Sequence, residues 1–102
     1  MKKVLFICSA GMSTSLLVTK TKQAAEARGI ELDITAMSEA EAKNHMDGCS
    51  VILLGPQVRF LLNNVKKSIG DRNIAVDVID TVNYGRMNGE AVLDQILSML
   101  GE

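Results

Sequence analysis

Two stretches of the chain, residues 3–8 and Val51–Leu54, carry almost nothing but apolar side chains. Short unbroken runs of this kind fit parallel strands that are buried on both faces. A third stretch alternates instead. Leu32, Ile34 and Ala36 interleave with Glu31, Asp33 and Thr35, the pattern of a half-exposed strand at a sheet edge. Residues 75–79 hold Asp77 in their middle and read as a second edge strand. With the two clean strands inside and the two interrupted ones outside, the spatial order is predicted to be 2-1-3-4.

Between these strands the period changes from two to that of a helix. Leu17, Thr21, Ala24 and Ala25 share one face of a first helix, with Gly29 placed as its C-terminal stop. Ser38 and Glu41 have capping-box spacing and open a short second helix that ends near Asp47 and Gly48. Val58, Leu61, Leu62, Val65 and Ile69 form the stripe of a third helix, and Leu93, Ile96, Leu97 and Leu100 that of a last one. These stripes are core-facing surfaces. Strand–helix alternation with right-handed crossovers predicts an α/β fold: a four-stranded parallel sheet with helices on both faces.

Composition narrows the picture. At 102 residues the chain reads as one domain, 1–102, able to bury roughly 60–65% of its unfolded surface. A content of 47% hydrophobic but only 3% aromatic residues implies an aliphatic core. The net charge of −1 gives no reason to expect nucleic acid. No apolar stretch approaches the ~20 residues that span a bilayer, and the run behind Lys2 and Lys3 is too short for a signal peptide. Direct membrane insertion is therefore not expected. Cys8 and Cys49 are far apart and have no metal-ligand spacing, which suits a reduced, cytoplasmic setting. Neither metal nor cofactor is expected. With every apolar stripe assigned to the core, a monomer is expected.

In sheets of this order, ligands bind beyond the strand carboxyl ends, where the strand order reverses. That point falls between strands one and three. Three unusual segments meet there: residues 8–15, then Gly55-Pro56-Gln57 with the chain's one proline, then residues 80–85, read as a loop. Cys8 closes the first apolar run and opens the small polar stretch Ser9, Ala10, Gly11, Met12, Ser13, Thr14 and Ser15. A thiol between a strand end and a helix N-terminus faces converging N–H groups and the positive end of the helix dipole, which favour an anion. Gly11 permits backbone angles that turn N–H groups inward, and the hydroxyls add donors; an ordinary Ser/Thr helix cap would use the same groups. Such a place suits a thiolate that attacks phosphorus and then holds the phosphoryl group. A buried structural thiol is the plainer reading of Cys8, but its position at the end of the strand argues against that.

One absence is informative. Cysteine phosphatases place an arginine six residues after the nucleophile to grip the phosphate. Here that position is Thr14, and no Lys or Arg lies between Cys8 and Ser15. A loop that holds phosphate by dipoles alone should form a phosphocysteine and hydrolyse it poorly, which suits a carrier. Asp80 is considered as a phosphatase-type general acid, but a turn role is favoured. His45, the chain's one histidine, and Cys49 read as incidental or structural, and Arg59 as a helix residue that either faces the crevice or is solvated.

Residues 8–17, Cys-Ser-Ala-Gly-Met-Ser-Thr-Ser-Leu-Leu, resemble the phosphorylation loop of the IIB components of the bacterial sugar phosphotransferase system, of the lactose/cellobiose/chitobiose type. Residues 53–57, and Asp80 with Tyr84 and Gly85, agree as well. The resemblance implies a fold shared with low-molecular-weight tyrosine phosphatases and a phosphotransferase role. It makes Cys8 the catalytic nucleophile and residues 9–15 the phosphate-binding loop. It also implies two partners: a phosphohistidine-bearing IIA protein as donor, and a membrane IIC transporter whose bound sugar, a β-linked disaccharide, is the acceptor. Apolar surface around the crevice, including Met12, is expected to form the transient contact. The alternatives are a cysteine phosphatase or arsenate reductase on the same fold, and a phosphate-sensing domain without covalent chemistry.

Overall fold

The computed structural model describes residues 2–9 and 12–101, with Met12 and Ser13 described by their backbone alone. Four parallel strands, β1 (Lys2–Ile7), β2 (Leu32–Met37), β3 (Val51–Leu54) and β4 (Ala75–Val78), lie in the order β2-β1-β3-β4. This is the predicted order. The register pairs Val4 with both Ile34 and Val51, and Val51 with Ala75. The two clean apolar runs are central because both their faces are covered: Val4 to Ile7 and all of β3 are buried.

Side-chain alternation along the strands divides the core into two halves. Val4, Phe6, Val51 and Leu53 pack with Leu17 and Val18 of helix α1 (Met12–Ala27) and with Val92 and Ile96 of helix α5 (Gly89–Met99). Leu5, Ile7, Ile52 and Leu54 point the other way. They meet Ala42 of α2 (Glu39–Ala42), Met46, and Val65 and Ile69 of α3 (Leu62–Ile69). The sheet is therefore sandwiched, with α1 and α5 on one side and α2 and α3 on the other.

Helix α5 approaches α1 unusually closely. A Cβ added at Gly89 would lie 2.5 Å from the carbonyl carbon and oxygen of Lys20 and 2.8 Å from the Thr21 nitrogen. Only glycine lets the first turn of α5 rest on the α1 backbone. Further along, Arg28 just past the end of α1 reaches both Glu90 and Asp94 of α5.

Four local details differ from the sequence expectation. Helix α2 is shorter, because beyond Ala42 the chain turns through tighter bonds, Asn44 N–H to Glu41 O and His45 N–H to Ala42 O. Val58 lies outside α3, in a 3-10 segment Pro56–Leu61 that starts at the proline and is kinked at Val58 (φ −117°, ψ 22°). Residues 80–85, expected as a loop, form a short helix α4 (Thr81–Gly85). Finally, Leu16, Val82 and Phe60 are exposed apolar side chains that the assignment of stripes to the core did not anticipate.

Candidate functional site

The backbone pairing of the sheet runs one residue past the strands. Cys8 N–H donates to Met37 O (3.1 Å), Gly55 N–H to Ile7 O (2.9 Å) and Ile79 N–H to Leu54 O (2.8 Å). The chain exits from the sheet are thereby held level with one another. Cys8 is the first residue beyond β1, 4% exposed, and its Sγ lies 3.9 Å from Met37 O, a long, weak thiol contact. Ser9 beside it is exposed. Ala10 and Gly11, and the side chains of Met12 and Ser13, lie outside the described residues.

Helix α1 starts at Met12, four residues after the thiol. The first N–H groups of any helix lack partners within it, and they carry its positive dipole end. Thr14, in that first turn, does not present its hydroxyl to solvent. It is 1% exposed, and its Oγ1 lies 3.0 Å from the hydroxyl of Tyr84, which is also buried. Ser15 is exposed. No basic side chain lies in the loop between Cys8 and Ser15.

The other two exits supply neighbours. Asp80 is the N-cap of α4: its Oδ1 accepts from Val82 N–H (2.9 Å) and Asn83 N–H (3.1 Å). That occupation is the turn role expected of it. Tyr84 in α4 is the link that sequence reasoning missed; the agreement of Tyr84 and Gly85 with the family pattern was its one signal. Its ring lies 3.7 Å from where a Cβ on Gly55 would sit, so it stands beside the β3 exit. Phe60, 74% exposed, borders a hollow of about 510 Å³ with Pro56, Gln57 and Arg59. It falls in a gap of the Val58–Leu61–Leu62–Val65 stripe, so periodicity gave no reason to single it out.

The remaining candidates stand apart from this end of the sheet. Cys49 is buried just ahead of β3, and its thiol donates to His45 O (3.2 Å). Burial pushes that thiol above its usual range. His45 itself is exposed in the turns after α2.

A doubly wound parallel sheet of order β2-β1-β3-β4, with a cysteine at the first strand exit, gives the chain the low-molecular-weight tyrosine phosphatase fold. A mutant of YwlE from Bacillus subtilis shares that fold over the full length of both chains, with a TM-score of 0.59 at 14% identity. Within that fold, the chain belongs to the lactose/cellobiose-specific IIB subunits of the phosphotransferase system, whose family model matches residues 3–95. It is 44% identical, over 98% of its length and 97% of the relative's, to the oligo-beta-mannoside-specific EIIB component of Bacillus subtilis strain 168. It is 41% identical to the galactose-specific EIIB component of Lactococcus lactis subsp. cremoris, over 90% of each chain. The solution structure of the cellobiose-specific IIB component of Borrelia burgdorferi matches 98% of the chain and is itself covered to 92%, with a TM-score of 0.80 and 34% identity. The chain is thus a sugar-transport component of the phosphotransferase system.

Proposed function

We propose that Cys8 carries the phosphoryl group, taking it from a phosphohistidine on a IIA protein and giving it to a sugar held by a membrane IIC transporter. The observation that carries this reading is the placement of the thiol, one residue beyond β1 and just ahead of α1, in a loop with no arginine. In the first step the Sγ–P bond forms as the N–P bond of the phosphohistidine breaks, and the imidazole nitrogen keeps the electron pair. Residues 9–15 hold the group, with N–H donors around the equatorial oxygens. In the second step a sugar oxygen forms the new bond to phosphorus, its proton is released, and the thiolate leaves.

A carrier must release what it binds. Dipoles without a guanidinium give a cradle of moderate strength, whereas arginine would favour transfer to water. The acceptor we infer is a β-linked disaccharide, in keeping with relatives named for oligo-beta-mannoside and cellobiose. No helix among the described residues is long and apolar enough to cross a membrane. We assign the sugar-binding and membrane-spanning work to the IIC partner and the whole of 1–102 to one cytoplasmic carrier domain, acting as a monomer.

The test is intact-protein mass after incubation with a phosphorylated IIA donor, with Cys8→Ser alongside. The parent should gain one phosphoryl group and the variant none. Continued sugar phosphorylation by Cys8→Ser would overturn the assignment, and steady hydrolysis of an aryl phosphate by the parent would move it to the phosphatases.

A further inference from the structure

We infer that Tyr84 is a positioning residue for the phosphoryl site, holding the first turn of α1 through its hydroxyl bond to Thr14; this rests on the carrier reading above. The bond joins residues 70 positions apart and closes at 3.0 Å between two side chains that are 1% and 8% exposed. Water has little access to either hydroxyl. Breaking the pair would strand a buried polar atom, the costly way to lose a hydrogen bond.

Tyr84 is itself firmly placed. Its backbone N–H donates to Asp80 O (2.9 Å), and its carbonyl accepts from Met87 N–H (3.1 Å), inside a helix whose first turn Asp80 caps. Its ring stands beside the β3 exit, 3.7 Å from where a Cβ on Gly55 would lie, and Gly55 N–H is bonded to Ile7 O, the residue before Cys8. One side chain therefore ties three neighbouring features together: the β4 exit, the β3 exit bonded to the residue before the thiol, and the start of the helix that follows the thiol in sequence.

That placement bears on transfer more than on folding. Donors stabilise a developing charge only when held within a fraction of an ångström of the right position. Thr14 is the third residue of α1, so its rotamer and backbone move with the N–H groups proposed to receive the phosphate. Either hydroxyl can donate. With Tyr84 as donor, Thr14 keeps its own proton for an acceptor outside the pair, the direction that an arriving anion favours.

Tyr84→Phe removes the hydroxyl and keeps the ring. With a phosphorylated IIA donor, phosphocysteine formation should slow by about tenfold, and the phosphorus-31 resonance of the phosphocysteine should shift, along with its titration midpoint. Thr14→Val should show the same changes, and Thr14→Ser should recover most of the loss. The double variant Tyr84→Phe/Thr14→Val should be no slower than Tyr84→Phe alone, as expected of two groups acting as a unit. A Tyr84→Phe protein that is folded by circular dichroism, within twofold of the parent rate and unshifted in phosphorus resonance, overturns the inference. If Tyr84→Phe fails to fold, the Thr14 pair decides, and equal rates for Thr14→Val and Thr14→Ser overturn it. A parent that takes up no phosphate overturns the carrier reading and this one with it; a competent parent beside an indifferent Tyr84→Phe overturns this one alone.

Discussion

Replacing Gly89 by Ala separates helix propensity from packing, because the two predict opposite signs. Gly89 opens α5, and in a helix interior alanine is favoured over glycine by up to about 1 kcal/mol, with less to gain at the first position. The new methyl group, however, would sit 2.5 Å from the Lys20 carbonyl, some 0.9 Å inside the 3.4 Å at which ordinary contact begins. All three atoms it meets are backbone, so no side chain can rotate away. Helices α5 and α1 would have to part along a seam that also carries Ala24, Ala25 and Leu93. Overpacking of this kind costs about 1–3 kcal/mol, more than propensity returns. The expected net loss is about 1–2 kcal/mol. Urea unfolding followed by circular dichroism should show the midpoint fall by about 1 M at unchanged slope. A midpoint equal to or above that of the parent would refute the close approach and leave propensity as the governing effect.

Cys49 should make stability fall with rising pH. Its folded thiol lies above the ordinary value, so between that value, ~8.5, and its folded pKa the unfolded chain has lost a proton that the folded chain keeps. Stability contributed below this window is lost across it, and the loss should be absent in Cys49→Ala when the two are compared by urea unfolding at neutral and alkaline pH; parallel curves would contradict it. Phe60→Ser should leave stability within about 0.5 kcal/mol, since the ring is 74% exposed. The same variant should need more phosphorylated IIA donor for half-maximal phosphorylation if that ring belongs to the partner contact, and an unchanged donor dependence would exclude it.

Where side-chain pattern alone decides structure, the sequence was readable. The span of β3, the edge character of β2 and β4 and the order β2-β1-β3-β4 all follow from which runs are apolar on both faces. Helix α4 was not readable, because five residues held by an Asp80 cap and one buried tyrosine leave no stripe to count. The early end of α2 has a similar cause: bonds between residues three apart replace those four apart, and Met46 still reaches the core. At the site, the sequence pointed to Cys8 and the small polar loop. It also counted Thr14 among the loop hydroxyls, but did not show that the fold pairs this hydroxyl with a tyrosine far along the chain. No local signal encodes a partner 70 residues away.

Three ties along α1 connect the packing to the chemistry. Thr14 is bonded to Tyr84 at the first turn, Lys20 and Thr21 lie against Gly89 in the middle, and Arg28 reaches Glu90 and Asp94 at the far end. Between them, Leu17 and Val18 are buried against β1, β3 and α5. A helix fixed at its start, middle and end moves as a rigid body, if it moves at all. If the phosphoryl group sits in front of α1 as proposed, the helix's N-terminal donors need no reorganisation when charge develops there, the condition under which fixed dipoles stabilise a transition state best. This offers a physical reason why a carrier could work without an arginine in its loop. A guanidinium would bring its own charge to the phosphate on a flexible arm; on the proposed carrier reading, a scaffold that holds weaker donors in place would leave the phosphoryl group free to depart.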